Sequence, residues 1–348
     1  MRLQWSCRAT VMAALVASLG FLIWSSRAEA VSSFGGEATG AQVFVPATGL
    51  TIKAASGQLP PTGGQVNASL LSGDIAGSAT GGVVALAAGV LHSVAVGLDV
   101  TDAEASMADV SLTVSGNGIT ADFLMAQGSA SCGTGPTVFG SSQLPNLFIN
   151  GQAITITGAP NQTVSLPNGT ATINEQVPAV AGSTGELRVV ALHVTTIDTI
   201  TGQVLADVML SIADAMIDCQ PGSGPPGNAT TGGGWINPQT GGKATFGVHG
   251  GTQPDGSLAG HLVYIDHGPG NLTVQSTVIT DFSPDCKTIT GQGDSNSGPV
   301  TFSVTVTDNG EPGTGDMFDI LVQGGTFGTY TASGPLVGGN IKVHRNCP

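Results

Sequence analysis

Positive charge is scarce in this chain. Nine Lys and Arg stand against 23 Asp and Glu, a formal net charge of −14 at pH 7. No basic cluster breaks the acidity, so nucleic acid and anionic membrane surfaces are excluded as partners. Charged residues make up 9% of the sequence and aromatics 5%, so any aromatic binding platform has few residues to draw on. Five cysteines occur and none are in CxxC spacing, which argues against a zinc clip or a redox motif. GxSxG and HExxH are both missing, so the sequence offers no nucleophile elbow and no zincin helix. Long amphipathic helical windows are also missing, and little helix is expected.

The first thirty residues read as a signal peptide. Arg2 and Arg8 form a basic start, Ala9 to Trp24 is nearly all apolar, and Ala28-Glu29-Ala30 offers a small-x-small cleavage site after Ala30. Cys7 precedes the apolar core, a poor place for a lipoprotein cysteine. Cleavage leaves 318 residues, enough for two cores of ordinary size, with six basic residues against 22 acidic ones. No second long apolar run follows, so the mature chain has no expected transmembrane segment. The expected address is secreted, extracellular or cell-surface.

Glycine is plentiful, at 53 residues, among alternating Val, Ile, Leu and Thr. That combination predicts short strands joined by Gly-rich turns, an all-β fold of two sandwich- or barrel-like domains. Val31 to about Gly40 reads as a small, polar lead-in. Phe302, Val304 and Val306 oppose Thr301, Ser303, Thr305 and Thr307, a clean period of two. In Gly202–Asp218 the apolar face is Val204, Ala206, Val208, Leu210 and Ile212. Asp214 and Asp218 share that parity, which is odd for a half-buried strand. The run 220–234 is dominated by Gly, Pro, Ser and Asn and reads as a linker. The expected division is residues 31–219 for the first domain, 220–234 for the linker and 235–348 for the second domain.

Cys132, Cys219, Cys286 and Cys347 remain after the signal peptide, and three pairings are possible. Two lie on each side of the linker. That favours Cys132–Cys219 and Cys286–Cys347, each bridge closing one domain.

Several stretches resemble known families. Asn174-Glu175-Gln176, Val189-Val190-Ala191-Leu192-His193-Val194 and the long strand ending at Cys219 resemble the choice-of-anchor P family. Gly232-Gly233-Gly234-Trp235-Ile236, Lys243-Ala244-Thr245-Phe246-Gly247 and Val304 to Gly313 resemble the β domain that often follows it, a post-choice-of-anchor domain. The resemblance implies an exported bacterial protein at the surface or outside the cell. The final residues Lys342 to Pro348 lack the apolar tail of a sorting signal, which favours free secretion over a covalent anchor.

Candidate chemistry is limited. Asp308, Asn309, Glu311 and Asp316 crowd oxygen ligands into one loop, as a weak extracellular calcium site requires. The same residues are turn formers, and Asp294-Ser295-Asn296-Ser297 is a further source of oxygens. His261 and His267 share a parity, with His249 on a neighbouring strand. They lie about 20 Å apart on a straight strand, too far for one ion. Asp207, Asp214 and Asp218 are the only carboxylate set suggesting glycoside cleavage. Trp235 and Tyr264 are the candidate ligand-contacting aromatics, although Trp235 also reads as a core or seam residue. Asn67, Asn161, Asn168, Asn228 and Asn271 occupy N-x-S/T sequons, which matter only in a glycosylating host. The leading expectation is a non-enzymatic protein with a structural, adhesive or matrix role, with a cell-wall or extracellular glycan or a surface protein as partner and no required cofactor. A carbohydrate-binding module pair is the alternative, and a hydrolase with an unrecognised site the third.

Overall fold

Alternating branched residues cut by glycine turns favour paired, half-buried strands over helices, and the computed structural model is built almost entirely of strands. It describes residues 33–219, 227–344 and 347. The expected signal peptide and residues 220–226 of the expected linker lie outside these. Among the described residues one short 3-10 turn, Gly77–Thr80, is the only helical piece, and no helix is long and apolar enough to cross a membrane.

The first unit contains β1 (Ser33–Val45), β2 (Leu50–Ala55), β3 (Gly64–Leu70), β4 (Gly73–Ile75), β5 (Val84–Ala88), β6 (Leu91–Gly97), β7 (Thr101–Val114) and β8 (Asn117–Cys132). It continues with β9 (Pro136–Gln143), β10 (Phe148–Ile149), β11 (Gln152–Ala153), β12 (Gln162–Leu166), β13 (Gly169–Ala181), β14 (Thr184–Ile197) and β15 (Val204–Asp218). The second unit contains β16 (Asn228–Ile236), β17 (Ala244–Thr252), β18 (Leu258–Asp266), β19 (Thr273–Phe282), β20 (Thr288–Ser295), β21 (Gly298–Thr307), β22 (Met317–Gly324) and β23 (Gly328–Val343).

One sheet of the first unit runs β12-β13-β14-β15-β1-β2. The other runs β11-β10-β8-β7-β5-β4, with β9 also on β8, β6 also on β7, and β3 on β6. Their inner faces share a core that includes Met107, Leu124, Val189, Val194, Val208 and Ile217. In the second unit β16 to β23 close into a barrel in chain order, around Phe246, Tyr264, Phe302 and Phe318. The chain is thus all-β, a sandwich followed by a barrel.

Three boundaries differ from the sequence reading. The polar lead-in is strand: β1 begins at Ser33 and pairs with β15 as far as Asp218. Its glycines serve close packing, since a Cβ on Gly35 would stand 2.7 Å from Met216 Cε. The second difference is β20, whose glycines hid its alternation. A Cβ on Gly291 would strike the ring of Phe302 at 2.5 Å. The third is the linker, since residues 228–234 belong to β16. Gly232, Gly233 and Gly234 admit close neighbours, and added Cβ atoms would meet Ile341 Cγ1 at 2.8 Å, Ser106 Oγ at 2.5 Å and the Gly338 carbonyl at 2.4 Å. Glycine here shortens distances between strands.

The odd parity of Asp214 also has a structural cause. Ser211 has φ +52° and Asn174 φ +52°, both in the left-handed region. They lie on one row across the sheet, because the pairs Val190↔Ile212 and Leu192↔Leu210 flank Ser211, while Ile173↔Leu192 and Glu175↔Val190 flank Asn174. The inward face switches at that row. Ala206, Val208 and Leu210 are buried before it, and Ala213, Ala215 and Ile217 after it. Asp214 therefore joins Asp207 on the outer face, where Arg188 binds it through Nε and Nη2 at 2.8 and 2.9 Å.

The sandwich and barrel meet face to face. The first eight residues of β7 and all seven of β6 are buried, although only one side of each strand faces the sandwich core. Their other side lies against the barrel. Two apolar clusters hold this seam: Phe123 and Met125 with Trp235 and Val263, and Val94, Val96 and Leu98 with Ala229.

Candidate functional site

Between those apolar clusters the seam is polar. β3 presents Gln65 and Asn67, β6 presents His92, and β7 presents Asp102, Glu104 and Ser106, alternating with the inward Ala103, Ala105 and Met107. The barrel answers with Thr231 on β16, His249 on β17, His261 on β18 and Lys342 on β23, with His344 just beyond. Buried polar groups must find partners, and most of these do so across the seam, while Glu104 and Thr231 bond within their own units and Ser106 Oγ has no hydrogen-bond partner.

Gln65 fixes the first set. Its Nε2 donates to the carbonyls of Asn228 and Thr252 at 3.2 and 3.0 Å, so its Oε1 is left to accept from His249 Nε2 at 2.7 Å. His249 Nδ1 is then a buried acceptor with no partner. Burial, together with neighbouring His92 and His344, pushes the imidazole of His249 down to about 3. His261 Nδ1 donates to Asn67 Oδ1 at 2.9 Å, which leaves its Nε2 to accept from His92 Nδ1 at 2.7 Å. Burial, with His92 and then His249 beside it, holds His261 well below the usual histidine range. His92 Nε2 faces Glu104 Oε1 at 3.5 Å, an attractive contact only when that nitrogen carries a proton.

Asp102 organises the second set. Its Oδ1 accepts from Lys342 Nζ at 2.6 Å and its Oδ2 from His344 Nδ1 at 3.2 Å, while His344 Nε2 lies 3.0 Å from Thr231 Oγ1. Burial alone would raise this carboxyl, but the bond from His344 and the charge of Lys342 outweigh it and hold Asp102 far below the carboxylate range. Beside this trio opens a pocket of about 110 Å³, lined in part by Asp102, Glu104, Gln127, Ser141, Glu311 and Lys342. Phe139, on β9, lines it too and is 66% exposed. Burial pushes the carboxyl of Glu311 upward, against a hydrogen bond from Asn340. The pocket thus offers carboxylates, an amide, a hydroxyl and one ammonium beside an open aromatic ring, groups that suit a hydroxylated ligand.

The residues singled out from sequence fall mostly elsewhere. Trp235 is 8% exposed, packs its ring 5.3 Å from that of Phe123, and covers Gly338, where a Cβ would stand 1.9 Å from the indole. Tyr264 is buried in the barrel core, its hydroxyl 2.7 Å from that of Tyr330. Neither ring faces solvent, so both are corrected to packing residues. Phe139 was missed because a lone aromatic in Pro136 to Gln143 carries no sequence signal of exposure.

The acidic loop is held by its own backbone. Asp308 accepts from the N–H groups of Gly310 and Val343, and Asp316 from those of Asn309 and Ile341, all at 2.8–2.9 Å. The Asn309 amide donates to the Gly315 carbonyl, and Glu311 accepts from Asn340 at 3.1 Å. Their oxygens serve the turn and its docking on β23. Asn296 Oδ1 accepts from Thr273 N–H in another turn. Among the described residues no group of three or more His, Cys, Asp or Glu is arranged to hold a metal ion.

His249 and His261 are cross-strand partners, whereas His267 lies apart, 3.0 Å from Thr245 Oγ1 and 3.4 Å from Asp109. Asp207 binds His193, whose two ring nitrogens lie 2.6 Å from Glu175 and 3.1 Å from Asp207. The bond to Asp207, then the charge of Glu175, raises His193 against the opposing effect of burial. A ring clamped at both nitrogens is a fixed cross-strand tie. Asp207 and Asp214 are about 23 Å apart along a straight strand and do not form a catalytic pair. The cysteines are joined as Cys132–Cys219 and Cys286–Cys347, one bridge in each unit.

No protein-family model matches the chain, and no curated protein matches it. Among solved structures it is similar to one from Nitrosomonas europaea described as a candidate AttH. The match covers 97% of this chain and 100% of that one, at 8% identity and a TM-score of 0.17. A likeness of that depth carries no functional argument.

Proposed function

We propose that the chain is an exported, non-enzymatic protein with a structural or adhesive role outside the cell or at its surface. The observation that carries this reading is the pair of disulfides, one closing each β unit, a chemistry that persists in oxidising compartments. The leader-like first thirty residues and the resemblance to choice-of-anchor P proteins and their following domain support the same address. The fixed engagement of Asp102, Asp214 and His193 supports a structural role for these titratable groups. Fractionation of the producing cells, with thiol labelling of each fraction, tests the reading. Recovery in medium or envelope with all four cysteines blocked to the label is expected. A cytosolic pool with reactive cysteines would sink it.

Phe139 favours a second reading, binding of a surface or extracellular glycan in the seam pocket. An exposed ring beside carboxylates, an amide and a hydroxyl is a chemical fit for a sugar, whose C–H face stacks while its hydroxyls hydrogen-bond. Phe139→Ala is expected to weaken retention on a cell-wall polysaccharide matrix at least tenfold with the melting curve unchanged. Equal retention of wild type and variant, or no retention of either, removes this reading.

A further inference from the structure

Three histidines converge where the sandwich meets the barrel, and hydrogen-bond geometry assigns His249 and His261 their neutral form. We propose that this seam is an acid-released latch: protonation of His249 and His261 parts the sandwich from the barrel while each disulfide-closed unit stays folded.

The argument rests on how the rings are placed. His261 Nε2 already accepts a hydrogen bond from His92, so a proton of its own sets two N–H groups against each other across 2.7 Å unless His92 moves its proton to Nε2, where Glu104 Oε1 lies 3.5 Å away. His249 Nδ1, once protonated, becomes a buried donor with no acceptor. The ring centroids of His92 and His261 are 4.8 Å apart, and those of His249 and His261 5.9 Å, so charges on these buried rings would also repel at short range.

The surrounding groups offer little relief. β3 contributes the neutral Gln65 and Asn67, and β8 contributes Gln127, which donates to Glu104 Oε2 at 3.2 Å. From β7, Glu104 faces His92, and Asp102 is held by Lys342 and His344. From the barrel come Thr231, two further positive or titratable groups in Lys342 and His344, and Glu311 from the acidic loop. Asp102 is thus committed to Lys342 and His344, while Glu104 Oε1, buried without a hydrogen-bond partner, faces His92, and neither carboxylate bonds His249 or His261. The apolar clusters flanking the rings are small, so charging the centre works directly against the contact that joins the units.

The sign follows from the depressed histidines. A free imidazole titrates near 6.5, whereas His249 in the closed seam titrates near 3. The closed state is therefore fully favoured above about pH 6.5 and progressively loses ground as pH falls towards 3. Asp102 stays ionised through that window, so its trio does not initiate the opening.

Hydroxyl-radical footprinting of the full chain at pH 7.5 and pH 4.5, normalised to a dose reporter, tests the latch. The seam side chains Met125 and Trp235 are expected to lose at least tenfold protection at pH 4.5, while Met107 in the sandwich core and Phe246 and Phe302 in the barrel core keep theirs. A double variant, His249→Gln with His261→Gln, cannot charge and is expected to hold the seam closed at pH 4.5. Protection unchanged in the wild-type seam, loss spread equally over seam and cores, or equal opening in the variant would each overturn the proposal. If the double variant fails to fold, the wild-type opening equilibrium decides. Its slope against pH must show uptake of at least one proton between pH 6.5 and 4.5, above the range where Asp102 responds, and a flat profile is contrary to the latch.

Discussion

Replacing Asp102 by alanine is expected to lower the stability of the protein by about 3 kcal/mol at neutral pH, among the largest losses for any single side chain here. The carboxylate comes from the sandwich, and its partners Lys342 and His344 come from the barrel. Removing it leaves an ammonium facing a desolvated seam without its counter-ion, and His344 without an acceptor. Lys342 keeps partial access to water, which sets the figure at the low end for a broken buried pair. Because the folded state holds the Asp102 carboxyl far below its usual range, the stabilisation is complete above about pH 4, the unfolded value, and fades as pH falls below it. Urea melts of wild type and Asp102→Ala should therefore differ by a constant amount at pH 6–8, with the difference starting to narrow below about pH 4 and still present at pH 3. A variant within about 0.5 kcal/mol of wild type at pH 7 would show that the trio contributes no more than a surface pair.

Loss of the sandwich disulfide should cost more. Cys132 and Cys219 are 87 residues apart, and the chain-entropy account gives about 4.5 kcal/mol for a loop of that length. The barrel bridge closes 61 residues, for a figure of about 4 kcal/mol on the same account. The bridges lie in different units, so removing them should move two different unfolding midpoints. Guanidinium melts of Cys132→Ser/Cys219→Ser and of Cys286→Ser/Cys347→Ser resolve this. Equal shifts of one shared midpoint would instead mean that sandwich and barrel unfold together. Cys219 and Cys286 are almost fully buried, so reductant should act slowly on the folded protein and quickly once it is loosened.

Much of the architecture was legible because alternation reports one buried face. Phe302, Val304 and Val306 point into the barrel as their period of two requires. The cysteine pairing was legible as well, since two cysteines lie on each side of one Gly/Pro-rich break. What escaped did so for physical reasons. Asp102, Glu104 and Ser106 alternate with alanine and methionine, a pattern that normally marks a solvent face, and nothing local shows that a barrel covers it. Glycines in β1, β16 and β20 read as slack chain, yet they sit where a Cβ would collide with a neighbouring strand or ring. The face switch at Ser211 makes parity misleading over the second half of β15. Trp235 and Tyr264 were sound choices as scarce aromatics, but scarcity also recruits such rings for packing, and the pocket carries a phenylalanine.

Closure of the barrel has a bearing on self-association. Every strand from β16 to β23 has both lateral neighbours, although β18 and β19 pair only over Val263–Ile265 and Thr273–Gln275 and part beyond them, so the barrel offers far less free N–H and C=O to another chain than an open sheet does. Lateral growth by strand addition has more room on the sandwich, whose sheets remain open. There β4 spans three residues and β11 two, too short to template a partner, and β2 carries Lys53 paired with Glu37. Longer open borders remain at β3, which lies beside β18 of the barrel, and at β9 and β12, and β9 holds the exposed Phe139. A border shared between copies at β9 would compete with occupation of the pocket under Phe139.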